Sequence, residues 1–471
     1  MIAIPTAELG FTEYGNAQWL VATHGADLRY VRAQRRWVTW DAQRWRTDDT
    51  GEVERRMKAI VPTLLRLAAD EPDESRRKQL TQWALECSKA RTIEASLRLA
   101  TSEPEVAVGG DLFDRDPWLL NVANGTLELR SGTLRAPRRE DYCTKLAPVA
   151  YDQGAPAPRW AQFLDDTTRG DAELARYLQR VAGYCLTGET GEQCWFLLYG
   201  SGGNGKTCFV EVLRGLLGDY ARAASFATFL VRGHETIRED VARLEGARLV
   251  TALEPPDDQR FNETLLKMLT GGDTVTAREL YRGSHEFRPA FKLLLAGNHK
   301  PRVWGTDEGF WRRVRLVPFT FAVPAERRVR DYHQVLLAEE GPGILRWAIE
   351  GALGWARDGL GEPDAVALET TAYRHDEDVL GEFVEACLHE TCGATLTHAD
   401  LRRAYEAWCD RAASPLLGTR VLINRLRERG FVDERSNGQR RWRDLELLTP
   451  SPAPGPGPLT HTLEDDDAPP F

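Results

Sequence analysis

An apolar run that leads directly into a glycine-rich loop is the strongest constraint on how this chain folds. The run Cys194–Tyr199 is continuous, as expected of a strand buried on both faces. After the loop, apolar residues recur on one face of a predicted helix that stops at Gly218. The loop itself consists of Gly200, Ser201, Gly202, Gly203, Asn204, Gly205, Lys206 and Thr207. A strand, a G-x-x-x-x-G-K-[ST] loop and a helix in this order predict a phosphate-binding loop.

The residue types of this loop suit the triphosphate of ATP. Glycines let backbone N–H groups surround the phosphate oxygens, and the helix dipole adds positive potential at the same place. We expect Lys206 to reach the outer phosphates and the Thr207 hydroxyl to ligate Mg²⁺. An ordinary glycine-rich turn is the alternative, and the two flanking elements argue against it.

Two further predicted strands bring polar side chains to the same edge of a parallel sheet. The strand Leu249–Leu253 is followed by Glu254, which is placed to polarise the attacking water or to hold the metal through a water. The strand Phe291–Ala296 is followed by Gly297 and Asn298, whose amide can bond the γ-phosphate or orient the water. For Glu254, the alternative is a surface residue that begins a loop.

Arg312 and Arg313 lie just before another predicted strand, Val314–Phe319. An arginine that reaches the γ-phosphate from a neighbouring subunit stabilises transition-state charge. Two arginines in this position are also compatible with a solvated face or with structural ion pairs. Because three other nucleotide-site elements precede them, we favour the role of an arginine finger.

The net charge of −10 over 471 residues does not exclude a nucleic-acid partner. A motor that moves along a strand needs positive charge only where the strand runs.

We expect no membrane association, because no stretch reaches the ~18 consecutive apolar residues that a spanning helix needs. The residues after Met1 lack the pattern of a secretory signal, so a cytoplasmic location is expected.

In this order and spacing, these elements resemble superfamily 3 helicases. More narrowly, the chain resembles the phage and plasmid primase-helicase family that is related to the poxvirus primase-helicase. The resemblance is strong over about 115–375. Besides the loop, Glu254, Asn298 and the Trp311-Arg312-Arg313 element, it is carried by four strings, which are Leu269–Asp273, Phe287–Pro289, Gly297–Pro301 and Gly305–Gly309.

The resemblance implies a hexameric ATPase that uses ATP and Mg²⁺, shares its sites between subunits and moves 3′ to 5′ on single-stranded DNA, opening forked DNA. It also implies a DNA-gripping hairpin between the second and third strands, here within Thr274–Pro289. The residues we expect to contact DNA there are Arg278, Tyr281, Arg282 and His285. A surface hairpin with incidental charge is the alternative.

Two features depart from the family pattern. Related motors often carry two adjacent acidic residues after the second strand, but Leu253 and Pro255 flank Glu254 here, so either Glu254 does both jobs or Asp257 or Asp258 assists. The first ~150 residues are short for a primase domain and contain no convincing paired-aspartate motif. We therefore predict no primase activity.

The end of the ordered sequence predicts a winged helix. A capping box at Thr397 and Asp400 opens one helix, Thr419 is expected to cap a second, and Ser436-Asn437-Gly438 predicts the turn of a hairpin. A protein-binding winged helix is the alternative to duplex contact. The residues expected to contact DNA are Arg420, Asn424, Arg425, Arg435, Arg440 and Arg441.

The last residues form an acidic tip that ends in Pro-Phe. Acidic runs are commonly just solvated, but this tip resembles the tail tips of bacterial single-stranded-DNA-binding proteins, which dock a terminal Phe in an apolar pocket. We hypothesise that it recruits host replication proteins. The residues involved would be Asp465, Asp466, Asp467, Pro470 and Phe471.

Taken together, the sequence predicts an α/β protein with a P-loop ATPase core of the AAA+ type, a mixed α/β N-terminal region, a helical collar and a C-terminal winged helix. The predicted function is replication of a phage, plasmid or other mobile element in a bacterial cell by a ring helicase that also recognises an origin. A helicase-loading ATPase and a DNA-binding initiator that does not unwind are the rivals. The predicted boundaries are 1–155 for the N-terminal region, 156–190 for the collar, 191–375 for the ATPase core, 376–448 for the winged helix and 449–471 for the disordered linker and tip.

Overall fold

The N-terminal residues form a small sheet that packs with helices around its own core. This computed structural model describes residues 10–231, 239–255, 259–278, 284–304, 307–412, 414, 416–436 and 438–448. The sheet has the strand order β3-β2-β1-β4, and Trp45 on β3 is fully buried. The elements are α1 Glu13–His24, β1 Leu28–Val31, β2 Arg36–Trp40, β3 Trp45–Thr47, α2 Glu52–Lys58, α3 Ile60–Asp70, α4 Glu74–Cys87, α5 Ala90–Ala100 and β4 Ala107–Val108.

The next segment shares its core with the centre of the chain rather than with α1–β4. Trp118, Leu120 and Leu127 belong to the same hydrophobic cluster as Phe196 and Phe209. The predicted N-terminal region 1–155 therefore contributes residues to three separate hydrophobic clusters. The elements of this segment are β5 Leu119–Val122, β6 Gly125–Glu128, β7 Thr133–Arg135, α6 Pro158–Thr168 and α7 Ala172–Leu186.

A parallel sheet occupies the centre of the chain. Its strand order, among the described residues, is β14-β8-β13-β10-β9, and every neighbouring pair is parallel. The first four residues of β8 are buried, because the strand is apolar throughout and covered on both faces. The elements are β8 Trp195–Tyr199, α8 Lys206–Leu217, β9 Ala221–Ala223, α9 Glu239–Ala242, β10 Leu249–Leu253, α10 Glu263–Thr270, β11 Val275–Arg278, β12 Ser284–Phe287, β13 Lys292–Gly297, α11 Glu308–Trp311 and β14 Val314–Pro318.

Two long helices cross beside this sheet at unusually short range. They are α7 and α12, which spans Tyr332–Asp358 and is followed by α13, Asp364–Asp376. A Cβ on Gly183 would lie 2.0 Å from the backbone N of Ala352, and one on Gly351 would lie 2.0 Å from the backbone O of Gln179. Glycine at both positions therefore lets the two backbones touch.

The chain divides into two compact units between Thr371 and Ala372. In the second unit a three-stranded sheet of order β15-β17-β16, counted over its described residues, packs with helices around Phe383, Tyr405 and Trp442. Its elements after α13 are α14 Val379–Cys387, β15 Leu388–Thr397, α15 His398–Ala412, α16 Thr419–Glu428, β16 Asp433–Ser436 and β17 Gln439–Leu447.

The helix starts of this unit confirm one predicted cap and correct another. The backbone N–H of Asp400 donates to Thr397 Oγ1 at 3.0 Å, as the capping box requires. Thr419, however, is the first helical residue of α16, and Gly418 occupies the capping position without a side-chain cap. Gly418 adopts the extended backbone that this position needs, so the helix starts one residue earlier than predicted. Within the described residues, no helix combines the length and apolar character needed to cross a membrane.

Candidate nucleotide site and nucleic-acid surfaces

The glycine-rich loop joins the carboxyl end of β8 to the amino end of α8, with Ser201 exposed on its outside. Gly202, Gly203 and Gly205 have φ values of 90°, 65° and 89°, which residues with a side chain rarely adopt. The loop borders a cavity of about 260 Å³, which also receives the ends of β10 and β13. The lining residues are Gly202–Cys208, Leu253, Glu254, Ala296, Gly297 and Asn298.

Lys206 lies at the centre of a polar cluster in this cavity. Its Nζ donates to the backbone O of Gly200 at 2.6 Å, to Asn204 Oδ1 at 2.7 Å and to Asn298 Oδ1 at 3.0 Å. Only 5% of Lys206 is exposed, and burial lowers the pKa of its ammonium group to about 8. All three acceptors are neutral, so the buried positive charge suits an anion better than it suits its present neighbours.

Glu254 and Asn298 reach the cavity because β10 and β13 are adjacent and parallel. Leu253 is in register with Ala296, and the N–H of Glu254 donates to the backbone O of Ala296 at 2.8 Å. Glu254 has a φ of 57°, a conformation that turns the chain at the strand end, and its side chain is exposed. The structure therefore brings Lys206, Thr207, Glu254 and Asn298 to one sheet edge, whereas Asp257 and Asp258 lie outside the described residues.

Arg312 and Arg313 lie at the opposite edge of the sheet. The strand that follows them pairs with β8 from Val314 opposite Trp195 to Pro318 opposite Tyr199, so the arginines precede the amino ends of the strands. Arg312 Nη2 donates to Gln193 Oε1 at 3.1 Å, and the half-buried Arg313 donates to the backbone O of Gly309. Neither arginine lines the cavity of its own chain.

Arg328 is a further cation beside the loop. A Cβ on Gly203 would lie 2.9 Å from Arg328 Nη2, and the N–H of Val323 donates to the backbone O of Gly203 at 2.9 Å. Arg328 Nε is held by the backbone O of Val323 at 2.9 Å. No motif marks this arginine, because it comes from an irregular segment that returns to the loop after β14.

The predicted hairpin between the second and third strands is present as β11 and β12, which pair from Val275 opposite Phe287 to Arg278 opposite Ser284. Val275 and Ala277 are buried, whereas Arg278 is exposed at the end of β11. His285 Nε2 lies 3.0 Å from Glu245 Oε2, so this side chain has an acidic partner. Tyr281 and Arg282, predicted at the tip, lie outside the described residues.

The second unit carries the other predicted DNA contacts on α16 and on the β16–β17 hairpin. Arg420, Asn424, Arg435 and Arg440 are exposed, and Arg425 and Arg441 are half-buried. Arg435 and Arg440 are direct cross-strand neighbours, an arrangement that places like charges opposite each other. The acidic tip Asp465–Phe471 lies outside the described residues.

Comparison with known families matches two parts of the chain. A family described as D5 N terminal like matches residues 17–169, and a family described as of unknown function (DUF5906) matches residues 198–313. Among solved structures, the ligand-free C-terminal region of NrS-1 is 10% identical, with a TM-score of 0.53 over 92% of this chain and 99% of that one. At this identity the likeness shows a shared mixed α/β fold.

The curated relatives are proteins of large DNA viruses. A candidate helicase of Acanthamoeba polyphaga mimivirus is 26% identical over 58% of this chain and 30% of its own length, and a candidate helicase of Frog virus 3 is 26% identical over 64% and 39%. A candidate primase of African swine fever virus is 26% identical over 43% of this chain and 22% of its own length.

The chain thus spans about a third of the length of the two helicase-type relatives. The family match covers the N-terminal region, and the matches to viral proteins agree with it. Together they confirm the resemblance drawn from the motifs, which is to the primase-helicase-like family that is related to the poxvirus primase-helicase.

Proposed function

We propose that the chain is an ATP-dependent DNA helicase of superfamily 3, which assembles as a ring, uses Mg²⁺ and replicates a mobile element. The observation that carries this proposal is the separation of two half-sites on one sheet. The loop, Glu254 and Asn298 meet at the carboxyl edge, and Arg312 and Arg313 stand at the amino edge. A head-to-tail ring would join these edges across each subunit interface.

The residues at the carboxyl edge fit a magnesium-bound nucleotide. Three glycines with positive φ give the loop a backbone conformation that residues with side chains rarely adopt, and Lys206 offers a buried cation whose hydrogen bonds go to the neutral oxygens of Gly200, Asn204 and Asn298. Thr207, exposed in the first turn of α8, would hold the metal. Bound Mg²⁺ and ATP supply the charge and the phosphoryl group for hydrolysis.

Each remaining polar residue of the cavity has a distinct role in this proposal. Glu254 would orient the attacking water and act as its general base, because this exposed residue borders the cavity. Asn298 would exchange its bond to Lys206 Nζ for one to the γ-phosphate or the water. The strand order β14-β8-β13-β10-β9 supports the proposed P-loop core, because it places β8 between the strand that follows the arginines and the strand that ends at Asn298.

DNA contact is proposed at the β11–β12 hairpin and at the second unit. Eight arginines against three acidic residues lie between Leu416 and Arg443, in a chain with a net charge of −10. The cross-strand pair Arg435–Arg440 places like charges opposite each other, with Asp433 Oδ2 3.9 Å from Arg440 Nη1, and a phosphate between the two arginines would offset the remaining repulsion. The order helix, strand, two helices and hairpin supports a winged helix that binds duplex DNA.

Strand displacement on forked DNA is the direct test. The full chain is incubated with ATP and Mg²⁺ on forks that carry only a 3′ or only a 5′ single-stranded tail, with Lys206→Ala as the inactive control. We expect displacement from the 3′-tailed fork and none with Lys206→Ala. Hydrolysis without displacement would favour a helicase-loading ATPase, and neither activity would favour a DNA-binding initiator.

A further inference from the structure

A large polar groove lies between the N-terminal sheet and the central part of the chain, away from the nucleotide cavity. Its volume is about 1320 Å³. One wall comes from β2, β3 and the segment around Arg115, and the other from β9, the segment after α9 and the strand end Glu286–Arg288. The groove therefore ends at the foot of the β11–β12 hairpin, where DNA contact is already proposed.

The lining of this groove is basic although the chain is acidic. Nine lysine and arginine residues line it against six acidic residues. Four of these acids have other partners: Asp219 pairs with Arg44, Asp114 with Lys145 at 2.7 Å, Glu245 with His285, and Glu189 accepts from Trp118 at 2.8 Å. The pairs Arg44–Asp219 and Lys145–Asp114 remove equal numbers of positive and negative charges, so the lining keeps the net excess of three positive charges that follows from nine basic and six acidic residues.

Five of the exposed lining arginines have no carboxylate partner within the described ranges of the chain. The exposed side chains of Arg46, Arg115 and Arg243 make neither an ion pair nor a hydrogen bond there. Arg222 donates only to the backbone O of Asp219 and Ala221, at 3.3 and 3.2 Å, and Arg288 only to the backbone O of Gly272, at 2.9 Å. Unpaired guanidinium groups on both walls suit phosphates, which accept two N–H bonds at once.

The groove is held open by buried structural contacts rather than by these arginines. Arg248, which is 5% exposed, donates to the backbone O of Leu186 at 2.8 Å and of Leu119 at 2.7 Å, and stacks over Tyr220. Arg248 also donates to the backbone O of Asp116 at 3.2 Å, and Arg44 pairs with Asp219, so contacts between the two walls hold their spacing without a ligand. Arg46, Arg115 and Arg243 are then free to serve binding.

We infer that this surface, here called the arginine groove, binds the backbone of a single DNA strand and leads it to the hairpin. Cations on two facing walls fit one backbone held between them, whereas a duplex would meet only the rim. The inference deepens the proposed function and rests on it for the identity of the strand. An acidic peptide, such as the chain's own Glu464–Asp467, is the other anion that this chemistry could accept.

Binding of a fluorescent thymidine oligonucleotide to the full chain tests the inference without ATP. The variant combines Arg46→Glu, Arg115→Glu and Arg243→Glu, and its control combines Arg77→Glu, Arg91→Glu and Arg98→Glu on α4 and α5, which makes the same charge change outside the groove. We expect at least a tenfold loss of affinity in the groove variant, and a decrease of about 2 in the slope of log affinity against log salt, since each lost phosphate contact on a single strand removes ~0.7. The control should change the affinity less than twofold.

Equal losses in the two variants, or no loss in either, would overturn the inference. A synthetic peptide of residues 460–471 serves as the competing anion. If it binds the wild type but not the groove variant while the oligonucleotide binds both equally, the groove is a peptide site and the inference is wrong. Hydrolysis of ATP without DNA should be the same in the groove variant and wild type, which shows that the variant folds. Because no step of the binding assay needs unwinding, a helicase assay that fails leaves this result interpretable.

Discussion

Mixing two inactive variants tests whether Arg312 or Arg313 completes the site of a neighbouring subunit. The loop and the arginines terminate opposite ends of β8 and β14, which pair over five residues. At a rise of about 3.3 Å per residue, the two sheet edges are roughly 13 Å apart. That distance is too long for either arginine to reach the phosphates of a nucleotide bound in the cavity of its own chain. Any catalytic contact between an arginine and the nucleotide therefore requires a second subunit.

The expected magnitudes follow from this geometry. Loss of an arginine finger lowers turnover by about 10³- to 10⁵-fold, so Arg313→Ala alone and Lys206→Ala alone should both be nearly inactive. In a ring assembled at random from equal amounts of the two variants, about a quarter of the interfaces combine an intact loop with an intact arginine. The mixture should therefore recover roughly a quarter of the wild-type rate, if interfaces act independently.

The recovered rate of the mixture is measured as steady-state ATP hydrolysis with saturating single-stranded DNA, after the subunits have been allowed to exchange. The ratio of the two variants is varied, and Arg312→Ala replaces Arg313→Ala in a parallel series to decide which arginine acts. A rate equal to the weighted mean of the two parents at every ratio would refute the shared site. A wild-type rate for both arginine variants would remove them from the mechanism altogether.

Three further predictions concern substitutions of Asn298, of Lys292, and of Arg425 together with Arg440. Asn298→Ala removes one of the acceptors of Lys206 Nζ, so the turnover number should fall by roughly 10²-fold with little change in the KM for ATP, whereas a rise in KM alone would contradict the proposed role. Lys292, fully enclosed and bonded to the backbone O of Thr187, has its pKa lowered to about 7 by burial. In the unfolded chain the pKa of Lys292 is about 10.5, so the free energy of unfolding rises with pH between about 7 and 10.5. From pH 7 to pH 9, the free energy of unfolding measured in urea should increase by about 2 kcal/mol more for the wild type than for Lys292→Met. A difference between the two proteins that stays constant with pH would contradict this. Arg425→Glu combined with Arg440→Glu should weaken duplex binding in a gel-shift assay at fixed salt, and unchanged affinity would favour a protein-binding winged helix.

The set of residues that line the candidate nucleotide cavity could be predicted from the sequence because the signals that mark them are local. The spacing of glycines, Lys206 and Thr207 in the loop Gly200–Thr207 is enough to predict its conformation. Glu254 and Asn298 follow apolar runs, and the ends of these runs must meet at one edge of a parallel sheet. The two-strand pattern around Arg278 and His285 likewise located β11 and β12 to within one residue.

Features that depend on distant parts of the chain could not be predicted. Arg328 reaches the loop from an irregular segment, and the arginine groove combines Arg46, Arg115 and Arg243, which only the tertiary structure brings together. The start of α16 differs from the predicted start for another reason. Thr419 is the stronger capping residue by type, but the backbone of Gly418 already has the extended conformation that begins the helix.

The contact of α7 with α12 through Gly183 and Gly351 has a mechanical consequence. Backbone atoms that touch have no rotamers through which to relax, so the two helices can turn or slide only as one body. The helix α7 precedes β8 and α12 follows β14, and these two strands are neighbours. This side of the sheet is therefore rigid, and motion during the proposed hydrolysis cycle should be concentrated on the opposite side, at β10, β13 and the hairpin that lies between them in the chain.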